Sequence, residues 1–138
     1  LEGEGTADLI QLQIFFRHHV LDHFAYEEEQ VFPALLAVDP SPGTHALVAE
    51  LQEEHKSILA ACGRLFSGLA WYLTAEDVPA TIRSLKKQAR EVLDAVLAHA
   101  GREDATLLPL VQTHRRHIEA LIAEAAAEEP RTTRAAGR

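Results

Sequence analysis

Two stretches of this chain set a histidine four residues ahead of an acid, and in each a pair of bulky apolar residues and a proline follow. The first is His23-Phe24-Ala25-Tyr26-Glu27-Glu28-Glu29-Gln30-Val31-Phe32-Pro33. The second is His99-Ala100-Gly101-Arg102-Glu103-Asp104-Ala105-Thr106-Leu107-Leu108-Pro109, and the two align without a gap. On a helix, residues i and i+4 share a face and stand about 6 Å apart along the axis. Each stretch can therefore aim one imidazole and one carboxylate at a common point. Two such faces set against each other make a metal site. Imidazole with carboxylate suits iron, manganese or zinc, and iron is favoured where two ions share bridging carboxylates.

Position strengthens that reading. His23, Glu27, His55, His99 and Glu103 all fall on, or at the edge of, apolar stripes that should face the axis of a helix bundle. Burying an unpaired carboxylate costs several kcal/mol or forces protonation, whereas a cation neutralises it. The plainer readings are these. One histidine on an apolar helix face is more often a packed, hydrogen-bonded core residue than a ligand, and this holds for His55 taken singly. Glu28, Glu29, Glu53 and Glu54 read as solvated faces, and Asp104 as solvated or as a support for His99. Cys62 reads as filler, and Tyr26 and Trp71 as ordinary bundle aromatics. The duplication of His-x-x-x-Glu, with the proline register kept, is what favours ligands.

The elements that must position these residues are helices. Leu9, Leu12, Phe15, Phe16, Val20, His23, Phe24, Glu27, Val31 and Leu35 recur at steps of three and four, predicting a helix to about Ala37. Thr6 or Asp8 can cap it, and Pro33 should kink or tighten its last turns. The loop Asp39-Pro40-Ser41-Pro42-Gly43 breaks it. Thr44 offers the cap of a second helix, whose stripe runs from Leu47 through Leu51, His55, Ile58, Cys62 and Leu65 to Leu73; Gly63 and Gly68 suit close packing. After a break at residues 74–79, with Thr74 as a cap, a third helix carries Ile82, Leu85, Val92, Val96, His99, Glu103 and Leu107. Pro109 marks its kink or end. Val111, His114, Ile118, Leu121 and Ile122 begin a shorter fourth helix, and residues 129–138 read as a frayed tail behind a bundle domain of residues 1–128. Short connections between long amphipathic helices predict an all-α, up-down antiparallel bundle.

Bulk properties agree. Of 138 residues 47% are apolar, enough for one domain with a core of its own. The net charge of −8 argues against a nucleic-acid partner, and no apolar run approaches the roughly 20 residues of a membrane span. A single cysteine and the lack of a signal-peptide pattern point to the cytoplasm.

With these residues in view, the chain resembles the hemerythrin-like, or HHE cation-binding, domain family. The family's HxxxEE…FP segment is similar to His23 through Glu27-Glu28 and Phe32-Pro33, and its second copy to His99 through Glu103-Asp104 and Leu108-Pro109. Its intervening "EH" histidine is similar to Glu54-His55-Lys56. The resemblance spans roughly residues 9 to 112. It implies a four-helix bundle holding two irons, with Glu27 and Glu103 as bridging carboxylates and His23, His55 and His99 as terminal ligands; another divalent metal is the alternative. Two departures stand out. The family's usual earlier helix, which donates one more histidine, has no counterpart before Leu9. Its replacement is open among His19, His114 and a ligand from a second copy of the chain or a further N-terminal segment. Depth disfavours His114, because His99 to Pro109 climbs about 15 Å. In addition, Leu51 and Leu59 flank His55 where oxygen carriers place a further histidine, which favours redox, sensing or iron handling over reversible oxygen carriage. The expected function is a non-haem di-iron protein that binds or reacts with O2, NO or peroxide. The alternative is a helical interaction or sensor module whose metal site is structural or vestigial.

Overall fold

The structure, a computed structural model, describes the backbone of residues 10–72 and 78–136. Four helices make up the described residues, with no strand among them. We number them α1 (residues 10–38), α2 (Pro42–Tyr72), α3 (Val78–Thr113) and α4 (Arg115–Ala136). The caps proposed at Thr6, Asp8 and Thr74, like Leu9 and Leu73, lie outside the described residues.

Helix α1 is continuous but not uniform. It widens into π-helical turns at Phe16–Leu21 and Glu27–Val31, the second closing with the Phe32 N–H donating to the Glu27 carbonyl. A reason lies in the sequence. Phe16, Val20, Phe24 and, beyond Glu27, Phe32 follow a step near four residues, and in an ideal α-helix each such step drifts by about 40°. Wider turns absorb the drift and keep these side chains on one face. The second wide turn also ends just ahead of Pro33, which cannot donate a backbone hydrogen bond and whose ring crowds the turn before it.

The start of α2 corrects the expected cap. Helical turns begin at Pro42, and Ser41 rather than Thr44 stands ahead of them; the Thr44 N–H reaches Ser41 Oγ at 3.4 Å. Thr44 instead donates its hydroxyl to Asp39 Oδ2 at 2.7 Å and is buried. Proline in the first helical position costs nothing there, because its missing N–H would have had no helical partner. Pro109 does not end α3, which runs one turn further to Thr113, so Val111 belongs to α3 and His114 is the turn. The segment expected to fray from Glu129 is helical as far as Ala136.

Two cores stack along the bundle. In the first, Phe16, Val20 and Phe24 of α1 meet Ile58, Cys62, Leu65 and Leu69 of α2 and Leu85 and Val92 of α3. Gly68 lets the latter two helices close, since a Cβ there would stand 2.7 Å from Leu85 Cδ2; Gly63 has open space instead. In the second core, Phe32, Ala34 and Leu35 meet Val48, Leu51, Leu107 and Ile118. Among the described residues helix α4 joins this second core and not the first, and its residues 123–128 are exposed. Buried Glu27, His55 and His99 fall between the two cores.

Candidate metal centre

Glu27, His55, His99 and Glu103 each point one ligand-type atom at a shared space, the four atoms lying within 4.8 Å of one another. Helix α1 brings Glu27, α2 His55, and α3 both His99 and Glu103. His55 Nε2 is 4.0 Å from Glu27 Oε1 and 3.6 Å from Glu103 Oε1, and His99 Nε2 is 2.6 Å from Glu103 Oε1. Despite these approaches, Glu27 Oε1 and Oε2, His55 Nε2, His99 Nε2 and Glu103 Oε1 are buried with no hydrogen bond of proper geometry. Buried polar atoms are nearly always paired. Such orphans on four residues that share one space are what a cation site requires of its donors, and the donor set fits a divalent metal.

His23 approaches the same carboxylates from the rim. Its Nε2 lies 2.6 Å from Glu27 Oε1 and 3.7 Å from Glu103 Oε2, while its side chain is 55% exposed. It lines a cavity of about 250 Å³ between α1 and α3, with Glu27 and Glu103 in the lining and Val31, Leu107, Leu108 and Val111 adding apolar surface. The other two candidates are not brought to the cluster. His19 is exposed, its ring 4.9 Å from that of Phe15, and His114 occupies the turn into α4 beyond the second core.

Two aromatics of the α1 motif and two acids read as solvated, Glu28 and Glu54, turn out to hold the buried histidines. Phe24 stacks on His55 with centroids 3.9 Å apart, and Phe32 lies on it at 5.7 Å. Glu28 Oε1 meets His55 Nδ1 at 2.8 Å and is itself held by Gln52 Nε2 at 2.9 Å. Glu54 Oε1 meets His99 Nδ1 at 2.9 Å, and the Arg102 guanidinium donates to both Glu54 and Glu50. In each case the outer ring nitrogen is engaged and the inner one is left for the shared space. Spacing alone hides these partners, because each belongs to a helix other than its histidine's. Glu53, as expected, sits on the surface, paired with Lys56.

Electrostatics separate the two carboxyls. Burial, then the facing Glu103 and nearby Glu28, push the Glu27 carboxyl up to about 9. Burial acts on Glu103 as well, yet contacts with His55 and His99 hold it below the ordinary carboxylate range. Burial resists protonation of His99, but Glu103 and Glu54 outweigh it and raise its value. Two facing carboxyls cannot both ionise cheaply, so the pair holds a proton that a cation would displace.

A family model described as Hemerythrin HHE cation binding domain matches residues 1–111, which takes in the described part of α1, all of α2 and nearly all of α3 and leaves α4 outside. No curated protein and no solved structure matches the chain.

Proposed function

This chain belongs to the hemerythrin HHE cation-binding domain family, and from that premise we propose a non-haem di-iron protein that binds or reacts with a small diatomic molecule or peroxide. The observation that carries the reading is the convergence of Glu27, His55, His99 and Glu103 from three helices, with five of their polar atoms buried and without a hydrogen bond. Left without a cation, they would cost several kcal/mol in lost solvation. In this reading Glu27, Glu103, His55, His99 and His23 would hold the metals, the two carboxylates as the shared ligands the family resemblance implies. Iron supplies an exchangeable coordination position and a change of oxidation state.

The protein's own groups do the rest. Phe24 and Phe32 fix the plane of His55 and exclude water from one side of the site. The cleft between α1 and α3 admits a ligand of a few atoms past His23, and its apolar lining favours neutral or weakly hydrated species. The same open seam would accept a further histidine from a second copy of the chain. No described helix is long and apolar enough to cross a membrane. Cys62 is buried as a free thiol, which suits a reducing compartment such as the cytoplasm.

Iron analysis and visible absorption of protein purified without chelator, before and after anaerobic ferrous loading, test the proposal. About two irons per chain and a new absorption band on adding O2, NO or peroxide are expected. Less than one tightly bound metal per chain after loading would overturn it.

A further inference from the structure

The two inner histidines are each held from outside by an acid, but the devices differ. His55 is backed by Glu28, steadied by the neutral amide of Gln52. His99 is backed by Glu54, steadied by the cation Arg102, which also reaches Glu50 one helical turn earlier. We infer that Arg102 is a positioning residue for the metal centre, acting through Glu54 to lock His99 in the tautomer that leaves Nε2 free to bind metal. The inference rests on the metal-site reading above.

The chemistry is directional. A carboxylate accepts hydrogen bonds and donates none, so the ring nitrogen facing Glu54 Oε1 at 2.9 Å must carry a proton. That nitrogen is Nδ1, so Nε2, which lies 2.6 Å from Glu103 Oε1, is the nitrogen that can give up its proton and present a lone pair to a metal among Glu27, His55 and Glu103. Glu54 can rotate and lose this alignment unless its second oxygen is fixed. Arg102 Nη1 donates to Glu54 Oε2 while Nη2 donates to Glu50 Oε2, so both ends of one guanidinium are tied to α2. Paired charged hydrogen bonds of this kind set orientation as well as energy. Arg102 lies between His99 and Glu103 in sequence, so the relay also ties α3 to α2 at the level of the ligands.

A substitution with an awkward consequence tests the relay. In Glu54→Gln, Arg102 takes the amide oxygen and turns the NH2 group toward His99 Nδ1. An NH2 donor there favours the opposite tautomer, with its proton on the nitrogen that should bind metal. Removing Arg102 as well frees the amide to rotate and offer its oxygen to Nδ1–H. Zinc affinity, measured by competition with a chromophoric chelator, should fall about 10- to 100-fold in Glu54→Gln. It should recover most of that loss in Glu54→Gln with Arg102→Leu. Arg102→Leu alone should weaken zinc about threefold to tenfold with little change in the denaturation midpoint of the metal-free protein, since its side chain is 41% exposed. Ring-nitrogen NMR shifts of zinc-loaded wild type should show His99 protonated at Nδ1. A double variant no tighter than Glu54→Gln, or an Arg102→Leu protein that binds zinc like wild type, would overturn the relay. If Glu54→Gln does not fold, the Arg102→Leu affinity and the wild-type NMR shifts decide it. Failure of wild type to bind either zinc or ferrous iron would instead remove the metal centre itself, and the relay with it.

Discussion

The two copies of His-x-x-x-Glu are alike in sequence and opposite in setting. In the α3 copy the histidine is sealed in, at 4% exposure, and its acid is held ionised by two imidazoles. In the α1 copy the histidine stands half in solvent and its acid is the deeply buried member that keeps a proton. Neighbours decide this. The α3 copy faces α2, whose Glu54 backs the histidine, while the α1 copy spends Phe24 and Phe32 on the His55 ring and leaves His23 at the open seam. Even the matched apolar pairs part company: Phe32 is buried, whereas its counterpart Leu108 is 44% exposed and Leu107 takes the inward place. The wide turn at Glu27–Val31 adds the residue that shifts the register. A duplicated motif thus supplies one fixed corner and one accessible corner.

The largest test of this contrast is ligand removal. His99→Ala should lose more metal affinity than the roughly 100-fold typical of supporting residues, while His23→Ala should lose about tenfold or less, both read by metal titration. Equal losses would erase the distinction between the corners.

Next come the acids in metal-free protein, where isosteric changes should have opposite signs. The folded value of Glu27, about 9, lies above its ordinary 4.5. The folded state therefore holds a proton that the unfolded chain releases, and stability falls as pH rises across that window. Glu27→Gln removes this loss and should stabilise the metal-free protein at pH 8 by roughly 2 kcal/mol. Glu103 has a lowered value, so its contribution is present above the ordinary carboxyl range and lost as pH falls toward the folded value. Glu103→Gln should accordingly destabilise at pH 8, by about 1–3 kcal/mol. Urea denaturation of both variants measures the pair.

The same proton governs metal uptake. Affinity should rise as pH increases from 6 toward 9 in wild type, because binding must displace the Glu27 proton. The rise should be shallower in Glu27→Gln, as competition titrations across that range would show.

The smallest effect concerns Ala25 and Gly101, which match in the two copies. A Cβ at Gly101 meets nothing within 4 Å, so Gly101→Ala should stabilise by about 0.5–1 kcal/mol. At Gly68 the same helical gain is offset by the shift forced on buried Leu85, so the two variants should differ by about 1 kcal/mol or more in thermal unfolding.

What the sequence determined by itself is the part ruled by local geometry. Helical period placed the apolar stripes, four-residue spacing put each histidine over its acid, and the break at Asp39-Pro40-Ser41 separated the first two helices, although Pro42 and Gly43 already belong to the second. These depend on residues within a turn or two of one another, and they made the helical bundle and its chemistry legible. Only the tertiary structure decided which acids back the histidines, because Glu28 and Glu54 act on residues of other helices and look like surface charge along their own. The same is true of Arg102, whose two partners lie on α2. Accessibility, too, is set by how α1 and α3 meet, so the open side of the centre at His23 belongs to the assembled bundle rather than to any stretch of chain.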